Sequence, residues 1–325
     1  MTRTDLIAAE LRGGPPAGCG DGWLPSTVDH RAPAGADEDV QDFLDAVEAE
    51  HDWLVPGLLE RGDRVITTGA EGAGKSTLLR QVGVQVASGI HPFSGEPTVP
   101  ARVLLVDLEC SRRQVRRAMT PLVGLAGDRL DRGMLTPILR PEGIDVLTAG
   151  DASWLRERVA ANRPDLLILG PVYKLAGGDP RDEAVARRVA RLLDQLRGEH
   201  DLTVVIEAHQ PYSASGGTRP LRPYGASLWS RWPEFGLHLA ASGVLSAWRG
   251  ARDERSWPAA LTRGGTWPWT VETSPREVLW ARITECVATC SQRPSVRDLA
   301  SAVGASSSGV DRAIQAHRTE WEAMA

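Results

Sequence analysis

Cysteine is scarce in this chain of 325 residues, with only Cys19, Cys110, Cys286 and Cys290. Four scattered thiols exclude a disulfide framework. Cys286 and Cys290 share a helix face, but no His or further Cys pair completes a zinc set, so reduced thiols are expected. Long apolar runs are also missing: none reaches the length that spans a bilayer, and the N-terminus MTRTDLIAAELRGG lacks the apolar core of a signal peptide. A soluble protein in the cytoplasm, without a membrane partner, is the expectation. Nor is there an excess of positive charge. The net charge of −5 and pI near 5.9 exclude a protein that binds nucleic acid through its whole field, and leave only local basic loops for that purpose.

What is present is a regular alternation. The segments RVITT (64–68), RVLLVDL (102–108), TPILR (136–140), DLLILG (165–170), LTVVIEA (202–208) and EFGLHLA (234–240) read as strands. Several are apolar along nearly their whole length, as strands covered on both faces should be. Helical segments lie between them at Ser76–Ala87, Ser111–Val123, Ala152–Ala161 and Glu183–Leu196. Alternation of this kind specifies an α/β fold with a mostly parallel sheet and helices on both sides. Residues 1–37 are rich in Gly, Pro and Ala and read as a mobile N-terminal arm. A helix is expected from Asp39 to Glu50, and Pro56 and Gly62 then punctuate a turn before the first strong strand. The α/β domain spans 38–273. Residues 244–272, which hold Trp248, Trp257, Trp267 and Trp269, are expected to form short antiparallel strands or a ribbon; the tryptophans serve either packing or base stacking. From 274 to 325 the pattern is helical, with helices at Glu277–Thr289, SVRDLASAV and SSGVDRAIQAHRTEW. Helix, Gly-containing turn, helix is a helix-turn-helix-like outline.

Gly69-Ala70-Glu71-Gly72-Ala73-Gly74-Lys75-Ser76 matches G-x-x-x-x-G-K-[ST] in full, directly after the strand RVITT and before a helix that opens with Thr77. The chemistry needs both neighbours. Glycines let successive backbone N–H groups curl around a phosphate, and the helix N-terminus adds its dipole. Lys75 supplies charge to the β- and γ-phosphates of ATP, and the Ser76 hydroxyl is a ligand for Mg²⁺. The next strand ends in Asp107-Leu108-Glu109, whose two carboxylates alternate with an apolar residue and so share a side. At the C-terminal edge of a parallel strand they lie on the ligand side of the sheet, where Glu109 can orient and deprotonate water.

The phosphate loop, VLLVDLE ending in Glu109, VVIEAHQ running out through His209, and DLLILGP between them resemble the RecA/DnaB superfamily, in particular RepA-like ATPases related to hexameric replicative helicases. The likeness extends over roughly residues 50–240 and takes in WLVPGLLERGD and ASGIHPFSG. It implies a RecA-like sheet, ATP hydrolysis with Glu109 as catalytic glutamate, and His209 as the group that senses the γ-phosphate and relays its state to a DNA-contacting loop. Gln210 can share that role. It also implies a homo-oligomeric ring or filament in which an arginine reaches a neighbour's γ-phosphate, with Arg249, Arg252 and Arg255 as candidates. The chain departs from the pattern at one point. Such ATPases usually end the fourth strand with a magnesium-shell aspartate, and here Gly170 stands there. Asp107 is one replacement, and water alone is the other.

Residues 211–231 form a long Gly- and Ser-rich stretch with Arg219, Arg222 and Arg231 and no acidic residue. Two readings stand: a loop that holds single-stranded DNA, with Tyr212 or Tyr224 stacking on bases, or a lid over the nucleotide. The C-terminal helices likewise read either as a DNA reader or as a packing module. The expected activity is a motor ATPase acting on DNA in replication or recombination, with helicase action as one form. The alternative is an ATP-gated DNA-binding regulator with little turnover.

Overall fold

Apolar runs of five residues with β-branched and leucine side chains bury well on both faces only at the centre of a layered α/β fold. The computed structural model describes residues 39–45, 51–212, 219–250, 255–271, 275–288 and 293–323. The chain divides into two compact units, Met1–Glu50 and His51–Ala325. In the first, the described part is a helix α1, Val40–Asp45. The arm expected at 1–37 lies outside the described residues.

The second unit opens with a small antiparallel pair, β1 (Trp53–Val55) and β2 (Leu59–Glu60). Then come β3 (Arg64–Thr68), α2 (Lys75–Ala87), β4 (Val103–Asp107), α3 (Arg112–Ala126), β5 (Leu135–Leu139), α4 (Ala149–Asn162), β6 (Leu166–Gly170), α5 (Glu183–His200), β7 (Thr203–Glu207), β8 (Phe235–Leu239) and β9 (Leu245–Arg249). These strands form one sheet of seven in the order β5-β4-β6-β7-β3-β8-β9. All neighbours are parallel except β8 and β9. The alternation read from the sequence is therefore realised as a mostly parallel sheet with flanking helices.

Alternate residues of each strand feed opposite cores, as the two-residue strand period requires. Ile66, Leu104, Val106, Leu167, Leu169, Val204 and Ile206 pack with Leu155 and Val159 of α4 and Leu193 and Leu196 of α5. Their neighbours Val65, Val103, Leu105, Leu166, Ile168 and Val205 pack on the other face with Leu78, Leu79 and Val86 of α2. The phosphate-loop strand β3 thus sits inside the sheet, between β7 and β8. The carboxyl ends of β3, β4, β6 and β7 open on one edge, where a parallel sheet receives its ligands.

After β9 come a two-stranded ribbon, β10 (Leu261–Arg263) and β11 (Trp269–Val271), and four helices, α6 (Pro275–Ala288), α7 (Val296–Val303), α8 (Ser307–Ala316) and α9 (Arg318–Ala323). Ser295 caps α7 by accepting from the Asp298 N–H, and Gly304, at φ 64°, makes the left-handed turn toward α8. Trp280, Ile283, Leu299, Val303, Val310 and Ala313 form a separate apolar cluster. The helix expected to run from Ser307 to Trp321 breaks at His317, whose ring stacks on Trp280 with centroids 4.6 Å apart.

Candidate nucleotide-binding site

The turn between β3 and α2 has the backbone that its glycines permit. Gly72 and Gly74 hold φ of 74° and 100°, a region other residues rarely adopt. The turn packs closely. A Cβ at Gly69 would lie 2.5 Å from the Leu239 carbonyl, and one at Gly74 2.8 Å from the Trp269 ring. Ala70 is half-buried and Ala73 buried, while Glu71 and Gly72 face solvent at the crest. Ser76 and Thr77, in the first turn of α2, are half-buried.

Lys75 is 3 % exposed. Its Nζ donates to the carbonyls of Gly69 (2.9 Å) and Ala70 (3.0 Å), arching back over the loop that a phosphate would occupy. Burial pulls its pKa below the ordinary lysine value, opposed by the carboxylates of Glu207, Glu71 and Glu109. The Ser76 hydroxyl donates to Glu207 Oε1 at 2.9 Å. Ser76, Asp107, Glu109, Gly170 and Glu207 line one cleft at the sheet edge.

Glu109 is exposed at the mouth of that cleft, with the Tyr173 hydroxyl 3.5 Å from its Oε1. His209 is partly buried beyond the end of β7, its ring 5.6 Å from Tyr173 and its Nδ1 3.9 Å from Glu71. Burial, and then the Lys75 charge, holds its pKa below the usual imidazole value. Lys75, Glu109 and His209 are near enough for their charges to act on one another, although Glu109 alone of the three lines the cleft. Gln210 is buried.

Asp107, the sequence's candidate for the magnesium shell, is turned to partners other than Ser76. Its Oδ2 accepts from Arg80 Nη2 at 2.6 Å, and its Oδ1 accepts from the N–H groups of Glu109 (3.0 Å) and Cys110 (2.8 Å). Those bonds shape the end of β4 and occupy both oxygens. The carboxylate on Ser76 is Glu207, which the sequence reading passed over. A single acidic residue within the buried run VVIEA was the available signal, since an unpaired carboxylate is rarely buried. The ribbon was also missed as a support. Arg263 Nη2 donates to the Ala73 carbonyl at 2.8 Å, and the Trp269 backbone exchanges two bonds with the Gln81 amide, at 2.7 and 2.8 Å.

The arginines fall into distinct settings. Arg255 is buried, with its guanidinium on Glu60 (2.8 Å) and Asp63 (2.9 Å) of its own chain. Arg249 donates to the carbonyls of Pro233 and Ser230, holding β9 to the preceding turn. Arg252 lies outside the described residues. Arg219 Nη1 is 3.4 Å from Glu71 Oε2, and its guanidinium lies 4.5 Å from the Tyr212 ring centroid. Arg222 is exposed, and Arg231 bonds Ser227 at 2.9 Å beside Glu183.

Magnesium accompanies nucleotide in such sites, and the residues fit it. The Ser76 hydroxyl stands in the first turn of α2 beside the Glu207 carboxylate, and among the described residues no group of three or more His, Cys, Asp or Glu side chains is placed to hold a metal ion by itself. Magnesium wants few protein ligands and completes its sphere with phosphate oxygens and water. When bound it screens the phosphate charge.

A phosphate loop on an inner strand of a mostly parallel sheet with flanking helices defines a P-loop ATPase on a RecA-like sheet. The chain belongs to the AAA domain family, whose profile matches residues 30–214. A KaiC-like protein from the hyperthermophilic archaeon Pyrococcus horikoshii OT3 is similar in structure. It is 17% identical, with a TM-score of 0.44 over 66% of this chain and 91% of that one. No curated protein matches the chain. Among the described residues, no helix is long and apolar enough to cross a membrane.

Proposed function

We propose that this P-loop ATPase acts on DNA, as a motor of the RepA/DnaB kind in replication or recombination. Lys75 and Ser76 hold Mg-ATP, Glu109 orients and deprotonates the attacking water, and His209 couples loss of the γ-phosphate to the arginine-bearing loop. The observation that carries this reading is the tie between that loop and the phosphate loop. Arg219 faces Glu71 at 3.4 Å, the Tyr224 N–H donates to the His209 carbonyl at 2.7 Å, and the Thr68 hydroxyl donates to the Leu221 carbonyl. A change at the phosphates therefore has a short path to Arg219, Arg222 and Tyr212, groups suited to phosphates and bases of a single strand. Tracking along a strand needs a homo-oligomeric ring or filament. Arg249 and Arg255 are engaged within their own chain.

Steady-state ATP hydrolysis with Mg²⁺, with and without single-stranded DNA, tests this. Turnover should rise with DNA and vanish in Lys75→Ala. Glu109→Gln should lower it roughly 10²-fold or more, the usual weight of a positioned base. Undiminished turnover in Glu109→Gln would remove that residue as the base, and hydrolysis indifferent to DNA would sink the motor.

A second reading, an ATP-gated regulator that recognises duplex DNA, is favoured by α7, the Gly304 turn and α8. That helix presents Ser307, Ser308, Asp311, Arg312 and Gln315 as exposed residues. Sequence-specific duplex binding that is lost on deleting residues 275–325 would decide for it.

A further inference from the structure

The β6 strand ends in Gly170, where the resemblance implies a magnesium-shell aspartate. On β6 and β7, Leu166 pairs with Thr203 and Leu169 with Ile206, so one step further Gly170 stands beside Glu207. A Cβ at Gly170 would lie 2.8 Å from the Glu207 Cβ and 3.0 Å from its backbone N and O. No side chain fits at 170 unless the main chain at 207 shifts, since the atoms in the way are the Glu207 Cβ and backbone. From that position the Glu207 carboxylate reaches Ser76 Oγ at 2.9 Å, with Lys75 Nζ 4.0 Å away. Asp107, the other carboxylate in the cleft, has both oxygens engaged by Arg80 and the Glu109 and Cys110 N–H groups. Glu207 is thus the acidic group that touches the metal-binding hydroxyl, and it does so from the strand adjacent to the phosphate-loop strand.

We propose that the magnesium-shell carboxylate of this ATPase has moved one strand over, from position 170 on β6 to Glu207 on β7. A hydroxyl and one carboxylate, with phosphate oxygens and water, form the oxygen set that magnesium takes in nucleotide sites. The longer glutamate suits the position: it starts beside Thr67 of β3 and has one more methylene than aspartate with which to reach Ser76. Because Glu207 lies two residues before His209, the metal carboxylate and the phosphate sensor project from the same strand end.

The inference rests on the nucleotide-binding reading, and one experiment separates the two. Affinity of the full chain for a fluorescent, slowly hydrolysed ATP analogue is measured with and without Mg²⁺, in the wild type, Glu207→Gln and Glu207→Asp. In parallel, Mn²⁺ bound in the presence of ADP is followed by electron paramagnetic resonance. In the wild type, Mg²⁺ tightens binding. In Glu207→Gln the ratio of affinities with and without metal should shrink roughly tenfold or more, and the Mn²⁺–ADP signal should weaken. The ratio closes from both sides, because neutralising a carboxylate beside the phosphates also favours metal-free nucleotide. Glu207→Asp, which keeps the charge, should retain part of the ratio. A glutamine still accepts from Ser76, so a Glu207 that acts by structure or bare charge alone would leave the Mn²⁺–ADP signal at its wild-type strength, whatever happens to the ratio; that result overturns the proposal. Absence of nucleotide binding by the wild type in either condition would instead overturn the nucleotide reading itself.

Discussion

Arg255 lies between two rings, its guanidinium carbon 4.8 Å from the Trp53 centroid and 4.7 Å from that of Phe235, while Glu60 and Asp63 take its N–H groups. Removing one partner of such a buried pair strands the others, at about 3–5 kcal/mol. Arg255→Ala should therefore lower the denaturant midpoint sharply while ATP turnover per folded molecule persists. Intact stability with lost turnover would restore it as a trans-acting residue. His238 offers a different test. Its Nδ1 is 3.1 Å from the Thr68 hydroxyl, and burial lowers its pKa from the usual 6.5. The unfolded chain then binds the extra proton first as pH falls below about 6.5, so this residue's contribution to stability is full above that pH and declines toward the lower folded value. The fall in melting temperature from pH 7 to 5 should be shallower in His238→Gln than in the wild type; equal slopes would dismiss the effect. At this scale the phosphate loop was fully legible, because its residues are contiguous. The fate of Asp107 was not, since the arginine that captures it sits 27 residues earlier, on the next layer.

Among the elements, the ribbon β10–β11 is the one whose role was hidden. Its antiparallel form was readable from prolines, glycines and tryptophans between residues 244 and 272. Its docking on the phosphate loop was not, because Gln81 meets Trp269 across 188 residues of chain. Tertiary partners of that range leave no periodicity to read. The β1–β2 pair escaped for another reason: strands of three and two residues around Pro56 and Gly57 are too short for alternation to register. The ribbon carries a prediction. A Cβ at Gly74 meets the Trp269 ring and also forces an unfavourable φ, whereas one at Gly72 meets open space. Gly74→Ala should therefore abolish binding of a fluorescent ATP analogue, while Gly72→Ala should weaken it less. Equal losses would show that backbone conformation alone, not the tryptophan, sets the loop.

Over the whole molecule, the sheet was the most legible feature, since five-residue apolar strands alternating with amphipathic helices admit few arrangements. Strand order was not readable, and it is order that puts Glu207 beside both Gly170 and Ser76. The C-terminal helices keep their own cluster around Trp280 and Leu299, distinct from the two cores of the sheet. A chain ended at residue 274 should accordingly still melt cooperatively and bind nucleotide through Lys75. A truncated chain that aggregates would mean the helices complete the fold rather than append to it.

The contact between Arg219 and Glu71 has a thermodynamic consequence. Glu71 rides on the phosphate loop, so the guanidinium 3.4 Å away is part of the charge an arriving triphosphate meets. Whatever draws Arg219 aside, whether a polyanion or a protein surface, alters that charge and with it nucleotide affinity. Linkage makes the effect mutual: nucleotide must change the affinity of that second ligand by the same factor. A single side chain thereby makes the two binding equilibria one, and the salt dependence of either should report on the occupancy of the other.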